Sequence, residues 1–277
     1  MKVIVAFLSW VLVIQLSAQR MAITLDDAPF GFSSGMSDEV KIERFGNLLG
    51  ILKKYDVQAT FFVTSGNMNE RTNTILERAL AEGHQLGNHT HRHLSLSHVS
   101  AKRYMTDVDS CRQEISSYVN SNYFRYSYLR RGETREKRDS VYQFLEDRGL
   151  RIAPVTIDNN EWIYNRDYSV ALRNGNSSEM KAQLDAYLKH MKEITTEYRQ
   201  KAIDMTGDEI PHILLIHVNP INCDHLDKLL AQYVAEGWKF ISLDEAMSHP
   251  FYQLEDDYMG QYGASQIDRL RLTSADK

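Results

Sequence analysis

"MAITLDDAPF", residues 21–30, sets an apolar run directly against two adjacent carboxylates. Met21 to Leu25 reads as a short strand, and Pro29 with the glycines beyond it marks a loop. Asp26 and Asp27 therefore stand side by side where a strand ends. Two neighbouring acids repel each other unless a positive partner holds them.

Moving outward, strand-like and helix-like segments alternate. Strands are expected at 21–25, 57–63, 84–88, 122–126, 150–157, 212–218 and 238–242. In 101–119, Tyr104, Val108, Cys111, Ile115 and Tyr118 step by four and three along one helix face. The segment 179–204 repeats that step through Met180, Leu184, Tyr187, Met191, Ile194 and Tyr198, and 225–236 is a shorter helix ended by Gly237. This order predicts an α/β fold on a parallel sheet, closed as a barrel or doubly wound. Such folds gather reactive groups at the C-terminal ends of their strands. His89, Arg125, Asp158 and His217 each fall at such an end, as Asp26 and Asp27 do.

Composition bounds the rest. A chain of 277 residues, 43% hydrophobic and 25% charged, can bury one large core, and no repeat or linker marks a second domain. A net charge of -5 leaves no footprint for nucleic acid or an anionic membrane. Lys2, the apolar run Val3–Leu16 and the small residues before Ala18 have the layout of a secretory signal peptide at 1–18. The run is too short to favour a membrane span, so an exported protein, periplasmic or secreted, is expected. The folded domain is then expected at 19–249, with an irregular extension at 250–277. Cys111 and Cys223 are no disulfide framework and read as two buried thiols, although export would permit a bond between them and that pairing stays open.

"GNHTHRHLSLSH" supplies the positive partner. At the start of a helix, His89 and His93 project from one face and can share a divalent metal, while His91 points away. One of the two acids then completes the ligand set, and the other acts as base on the water the cation acidifies.

These segments resemble the five motifs of the NodB-homology polysaccharide deacetylases, carbohydrate esterase family 4. "TLDDA" is similar to TFDDG, "HTHRH" to H-[S/T]-x-x-H, and "FRYSYLRRGET" to a motif beginning R-x-P. "DNNEW" at 158–162 resembles D-x-x-D-W, and "LLIH" matches L-x-H. The set runs in order from residue 24 to residue 217. The resemblance implies a distorted (β/α)7 barrel that hydrolyses an acetylated carbohydrate with a divalent metal. It implies Asp26 as general base, Asp27, His89 and His93 as metal ligands, and Arg125 as the group holding Asp26. His217 would be the general acid, with Asp158 facing its ring. Tyr128 would offer a backbone amide to the oxyanion, and Leu215 and Trp162 would receive the acetyl methyl. Zinc is the expected ion, with cobalt, nickel and iron as alternatives.

Three residues depart from the pattern: Ala28 stands for Gly, Ser127 for Pro and Glu161 for Asp. The stretch of nearly fifty residues between Trp162 and His212 is long for a connection, and its helix either walls one end of the groove or lies outside the barrel. Hydrolysis of another non-peptide C–N bond and a catalytically silent carbohydrate-binding module remain as alternatives, and oligomeric state is open.

Overall fold

The computed structural model describes residues 19–31 and 35–275; the expected leader lies outside the described residues. β1 (Arg20–Ala28), α1 (Asp38–Lys54), β2 (Thr60–Val63), α2 (Asn73–Ala81), β3 (Gln85–Asn88) and α3 (Ala101–Glu114) come first. β4 (Tyr123–Phe124), α4 (Arg135–Asp147), β5 (Arg151–Ile152), α5 (Glu161–Arg173) and the long α6 (Ser177–Thr206) follow. β6 (His212–His217), α7 (Pro220–Ala235), β7 (Lys239–Ile241), α8 (Leu243–Met247) and α9 (Gln266–Ala275) complete the chain.

The strands pair in the order β5-β4-β3-β2-β1-β6, all in parallel, with β7 added beside the start of β1. Met21 to Leu25 and Ile213 to Ile216 are buried, because helices cover the outer face of the sheet and the core fills the inner one. Burying one such Leu or Ile side chain contributes about 1.5–3 kcal/mol. β5 is shorter than the expected 150–157 because Pro154 has no N–H for the ladder. Beyond it, Ile157 bridges Leu214 in parallel, with Leu215 N donating to Ile157 O at 3.3 Å. That contact joins the far edge of the sheet to β6 and curls it into the expected distorted barrel.

Local chemistry sets the helix limits. Asn219 caps α7 and Pro220 occupies its first turn, so this helix starts five residues before the expected 225. α6 is capped by Asn176 and ends at Gly207, whose φ of 79° lies in the left-handed region that favours glycine. Its expected stripe is buried at Leu184, Tyr187, Met191 and Tyr198. The tail is more ordered than an irregular extension. Phe251, Tyr252, Ile267 and Leu270 pack into the main core, and Tyr252 Oη donates to Pro211 O at 2.5 Å. Cys111 and Cys223 are free and buried. Among the described residues, no helix is long and apolar enough to cross a membrane.

Candidate active site

In a regular strand, Asp26 and Asp27 would face opposite sides of the sheet. β1 instead breaks register between Leu25 and Ala28, and Asp27 takes a φ of 66°. That turn brings both carboxylates into one cavity of about 1060 Å³ at the strand ends. Ala28 is not in the left-handed region, so replacing the usual glycine causes no backbone strain there. Gly31 N donates to Val218 O at 2.8 Å and brings the following loop against the Asp27 side chain.

His89 and His93 do reach one another, with their Nε2 atoms 3.2 Å apart, but not on a helix as the spacing predicts. Residues 89–95 form an irregular loop in which Thr90 and His93 have φ of 69° and 53°. Asn88 Oδ1 accepts from Thr90 N and Asp107 Oδ2 from Arg92 N, and these bonds fold the loop back on itself. His91 faces elsewhere: its Nδ1 lies 2.9 Å from Glu114 Oε2 and 3.0 Å from Ser65 Oγ. Five of the six non-glycine residues with positive φ among the described residues are Asp27, Thr90, His93, Tyr128 and Leu129, all in or beside this cavity. Such backbone persists where surrounding structure holds it, and it concentrates at functional sites.

The donor set fits a divalent cation. Asp27 Oδ1 lies 3.9 Å from His89 Nε2 and 3.5 Å from His93 Nε2. Three donors on a tetrahedral zinc-like ion at about 2.0–2.1 Å would stand about 3.3 Å apart. Asp27, His89 and His93 each offer one possible ligand atom, and these three atoms lie within 4.8 Å of one another. His89 Nδ1 donates to Arg125 O at 2.9 Å, which leaves Nε2 with its lone pair toward the cavity. Burial, helped by the neighbouring His93, pushes the His89 pKa down to about 3, so the ring is neutral as a ligand must be.

Arg125 lies beneath the cavity, buried, with its guanidinium over the Phe62 ring. Its Nη1 is 3.5 Å from Asp26 Oδ1 and its Nη2 donates to Thr24 Oγ1 at 3.0 Å. Burial raises the pKa of Asp26, against the opposing charges of Arg125, His217 and His93. Across the β1–β6 ladder, Asp26 and His217 are register partners.

One expected contact is corrected. The acid on the His217 ring is Glu161, not Asp158: Nδ1 and Glu161 Oε2 are 2.8 Å apart. Asn219 and Asn222 each donate to Glu161 Oε1 at 2.5 Å, so this fully buried carboxylate is satisfied on both oxygens. Glu161 opens α5, whose first turn aims it at β6, whereas Asp158 precedes the helix. Burial disfavours the charged His217 ring, but Glu161, with Asp27 and Asp26, outweighs it and pushes the pKa up to about 9. Asp158 also lines the cavity, and burial pushes it up to about 6. The signal for Glu161 was present in the sequence, as the acid standing before Trp162.

Tyr128, Trp162 and Leu215 line the same cavity, and the Tyr128 ring packs on His93 at 4.4 Å. Ser127 uses freedoms a proline lacks: its N–H donates to Tyr104 Oη at 3.4 Å, and its Oγ meets Thr90 Oγ1 at 3.3 Å. No residue of α6 lines the cavity, so the long helix is an outer barrel helix and not a groove wall. The wall comes from the tail, through Tyr262 and Gly263.

The family model described as polysaccharide deacetylase matches residues 14–153. This chain belongs to the polysaccharide deacetylase family. The family is one of hydrolases. The chain is 24% identical over 228 residues to the peptidoglycan-N-acetylglucosamine deacetylase of Listeria monocytogenes, covering 82% of this chain and 38% of that protein. It thus spans well under half of that relative. The fold is shared with the polysaccharide deacetylase Bc1974 of Bacillus cereus, with a TM-score of 0.57 at 20% identity over 81% of this chain and 91% of that one. It is shared too with a family 4 acetyl xylan esterase of Clostridium thermocellum in complex with cobalt, at a TM-score of 0.54 and 20% identity over 83% and 91%.

Proposed function

We propose that this polysaccharide deacetylase removes acetyl groups from a carbohydrate, with Asp26 as general base and His217 as general acid. The observation that carries the reading is the register pairing of Asp26 with His217 beside the Asp27, His89 and His93 donors. Asp27, His89 and His93 would hold a divalent cation, zinc by donor type, with cobalt, nickel or iron also suited. When bound, that ion would lower the pKa of water toward neutrality and polarise the acetyl carbonyl.

The side chains divide the proton work. Asp26, held by Arg125, takes a proton from the attacking water as its oxygen bonds the acetyl carbon. The Tyr128 amide stands ready for the resulting oxyanion. Leu215 and Trp162 take the acetyl methyl and keep it from water. His217 is charged at neutral pH and gives its proton to the leaving nitrogen or oxygen as that bond to carbon breaks, leaving acetate and a free amine or hydroxyl. Glu161 holds the ring in place for this transfer.

The relatives named for peptidoglycan and acetyl xylan support a substrate among wall and plant polysaccharides, and chitin oligomers carry the same N-acetyl group. The leader-like N-terminus supports export to where such polymers lie. Acetate release from acetylated chitooligosaccharides, peptidoglycan and xylan tests the reading. Wild-type protein is expected to release acetate from at least one, and Asp26→Asn to lose about 10²–10⁴-fold in kcat. Full turnover by Asp26→Asn overturns the assignment of the base.

A further inference from the structure

Four aromatic side chains are exposed among the described residues: Tyr128, Tyr142, Trp162 and Tyr262. Three of them, Tyr128, Trp162 and Tyr262, line the one cavity that holds Asp26 and His217. Exposed aromatic surface is unfavourable in water, so its convergence on one groove marks a place where something apolar is received. Tyr262 is 72% exposed and lies one hundred residues beyond Trp162, in the tail.

That tail is held, not draped. Ser97 Oγ donates to Gln261 O at 3.0 Å, and Gln266 N to Val155 O at 2.7 Å. Between these ties Gly263 presses on the loop that carries Tyr128: a Cβ at Gly263 would lie 1.8 Å from Tyr128 O. Only glycine permits that approach. Below it, Asp256 accepts from Arg269 Nε at 2.6 Å and Arg131 Nη1 at 2.9 Å, and Arg269 also donates to Ala264 O. Tyr262 therefore projects from a loop fixed on both sides, and little ordering entropy is lost when its ring meets a ligand.

We propose that Tyr262 is a sugar-stacking residue, through which the C-terminal segment binds a pyranose unit next to the one being deacetylated. This rests on the deacetylase reading of the site. Pyranose rings present apolar C–H faces, and an aromatic ring with its own anchor accepts such a face while its hydroxyl meets the sugar's polar rim. Because a single-residue substrate cannot occupy both places, the contribution of Tyr262 appears only with oligomers.

The test compares wild type, Tyr262→Ala and Tyr262→Trp on N-acetylglucosamine oligomers of one to six units, by acetate release and by calorimetric binding. Tyr262→Ala is expected to raise KM, and weaken binding, about three- to tenfold for the longer oligomers, with kcat changed less than about twofold. Tyr262→Trp is expected to restore the wild-type KM. The ring is largely exposed, so its truncation removes little packing, and circular dichroism checks the fold. Equal KM and equal binding for wild type and Tyr262→Ala at every length overturn the stacking role, while wild-type acetate release leaves the deacetylase reading standing. Length-dependent binding lost in Tyr262→Ala but without acetate release from wild type supports the stacking role, and the reaction is overturned only if peptidoglycan and xylan also release no acetate. A wild type that neither binds nor deacetylates any of these oligomers overturns the stacking role, and the deacetylase reading falls with it only if peptidoglycan and xylan release no acetate either.

Discussion

Glu161 and His217 form a hydrogen-bonded pair, 2.8 Å from Oε2 to Nδ1, in which the carboxylate is fully buried and the ring opens onto the cavity. The pair couples α5 to β6. Its carboxylate has its other oxygen occupied by Asn219 and Asn222, so it cannot swing away. A fixed anion at the far nitrogen keeps the ring charged and its other nitrogen aimed outward.

The pH dependence follows from that pair. As the proposed general acid, His217 would act only while protonated, and its pKa is pushed up to about 9. Activity is expected to fall as pH rises through about 9. Glu161→Gln removes the largest charge opposing the effect of burial, so the alkaline limb of the kcat/KM profile moves to lower pH, by on the order of one unit or more. A limb in the same place in wild type and Glu161→Gln contradicts this. The linkage has a matching sign for stability. A raised histidine pKa contributes stability fully present below its unfolded value near 6.5 and lost as pH rises through about 9. Urea unfolding at pH 6 and pH 10 reads that loss.

Metal content separates the histidines. His93→Ala removes one of three donors and is expected to abolish stoichiometric zinc after dialysis, whereas His91→Ala, whose ring faces Glu114, is expected to keep it. Elemental analysis of the two purified variants decides. Equal zinc in both would require a different ligand set.

Arg125 is expected to act through Asp26. Arg125→Met leaves a buried carboxylate without its cation, so the pKa of Asp26 rises further from its already raised value. The acidic limb of the kcat/KM profile then moves to higher pH, and kcat at neutral pH falls more than tenfold. An unmoved acidic limb contradicts the pairing.

The tail contributes stability as well as surface. Arg269 is 2% exposed and shares Asp256 with Arg131. Asp256→Ala leaves a buried guanidinium without its carboxylate, at an expected cost of about 3–5 kcal/mol, read by denaturant unfolding. A change below about 1 kcal/mol would mean the bracket is solvated and weak.

Much of this was legible in the chain itself. The seven strands and the buried stripes of α3 and α6 follow from apolar runs and from steps of three and four, since burial of one face imposes those periods. The gathering of Asp26, Asp27, His89, Arg125 and His217 at one rim follows from a parallel sheet, whose strands all end on the same side. The match of His89 with His93 was anticipated for the wrong local reason. A spacing of four suits a helix, yet a loop bent through two left-handed residues brings the rings together.

Order along the chain thus determined the layers of the barrel and which residues stand at its mouth, because hydrophobic periodicity and strand direction are properties of short segments. Tertiary packing alone decided that Glu161 and not Asp158 meets His217, because the two acids stand only three residues apart and only the docking of α5 on β6 selects between them. It also decided that the tail and not α6 walls the groove. That choice depends on the Asp256 bracket and the close approach at Gly263, contacts between segments more than a hundred residues apart.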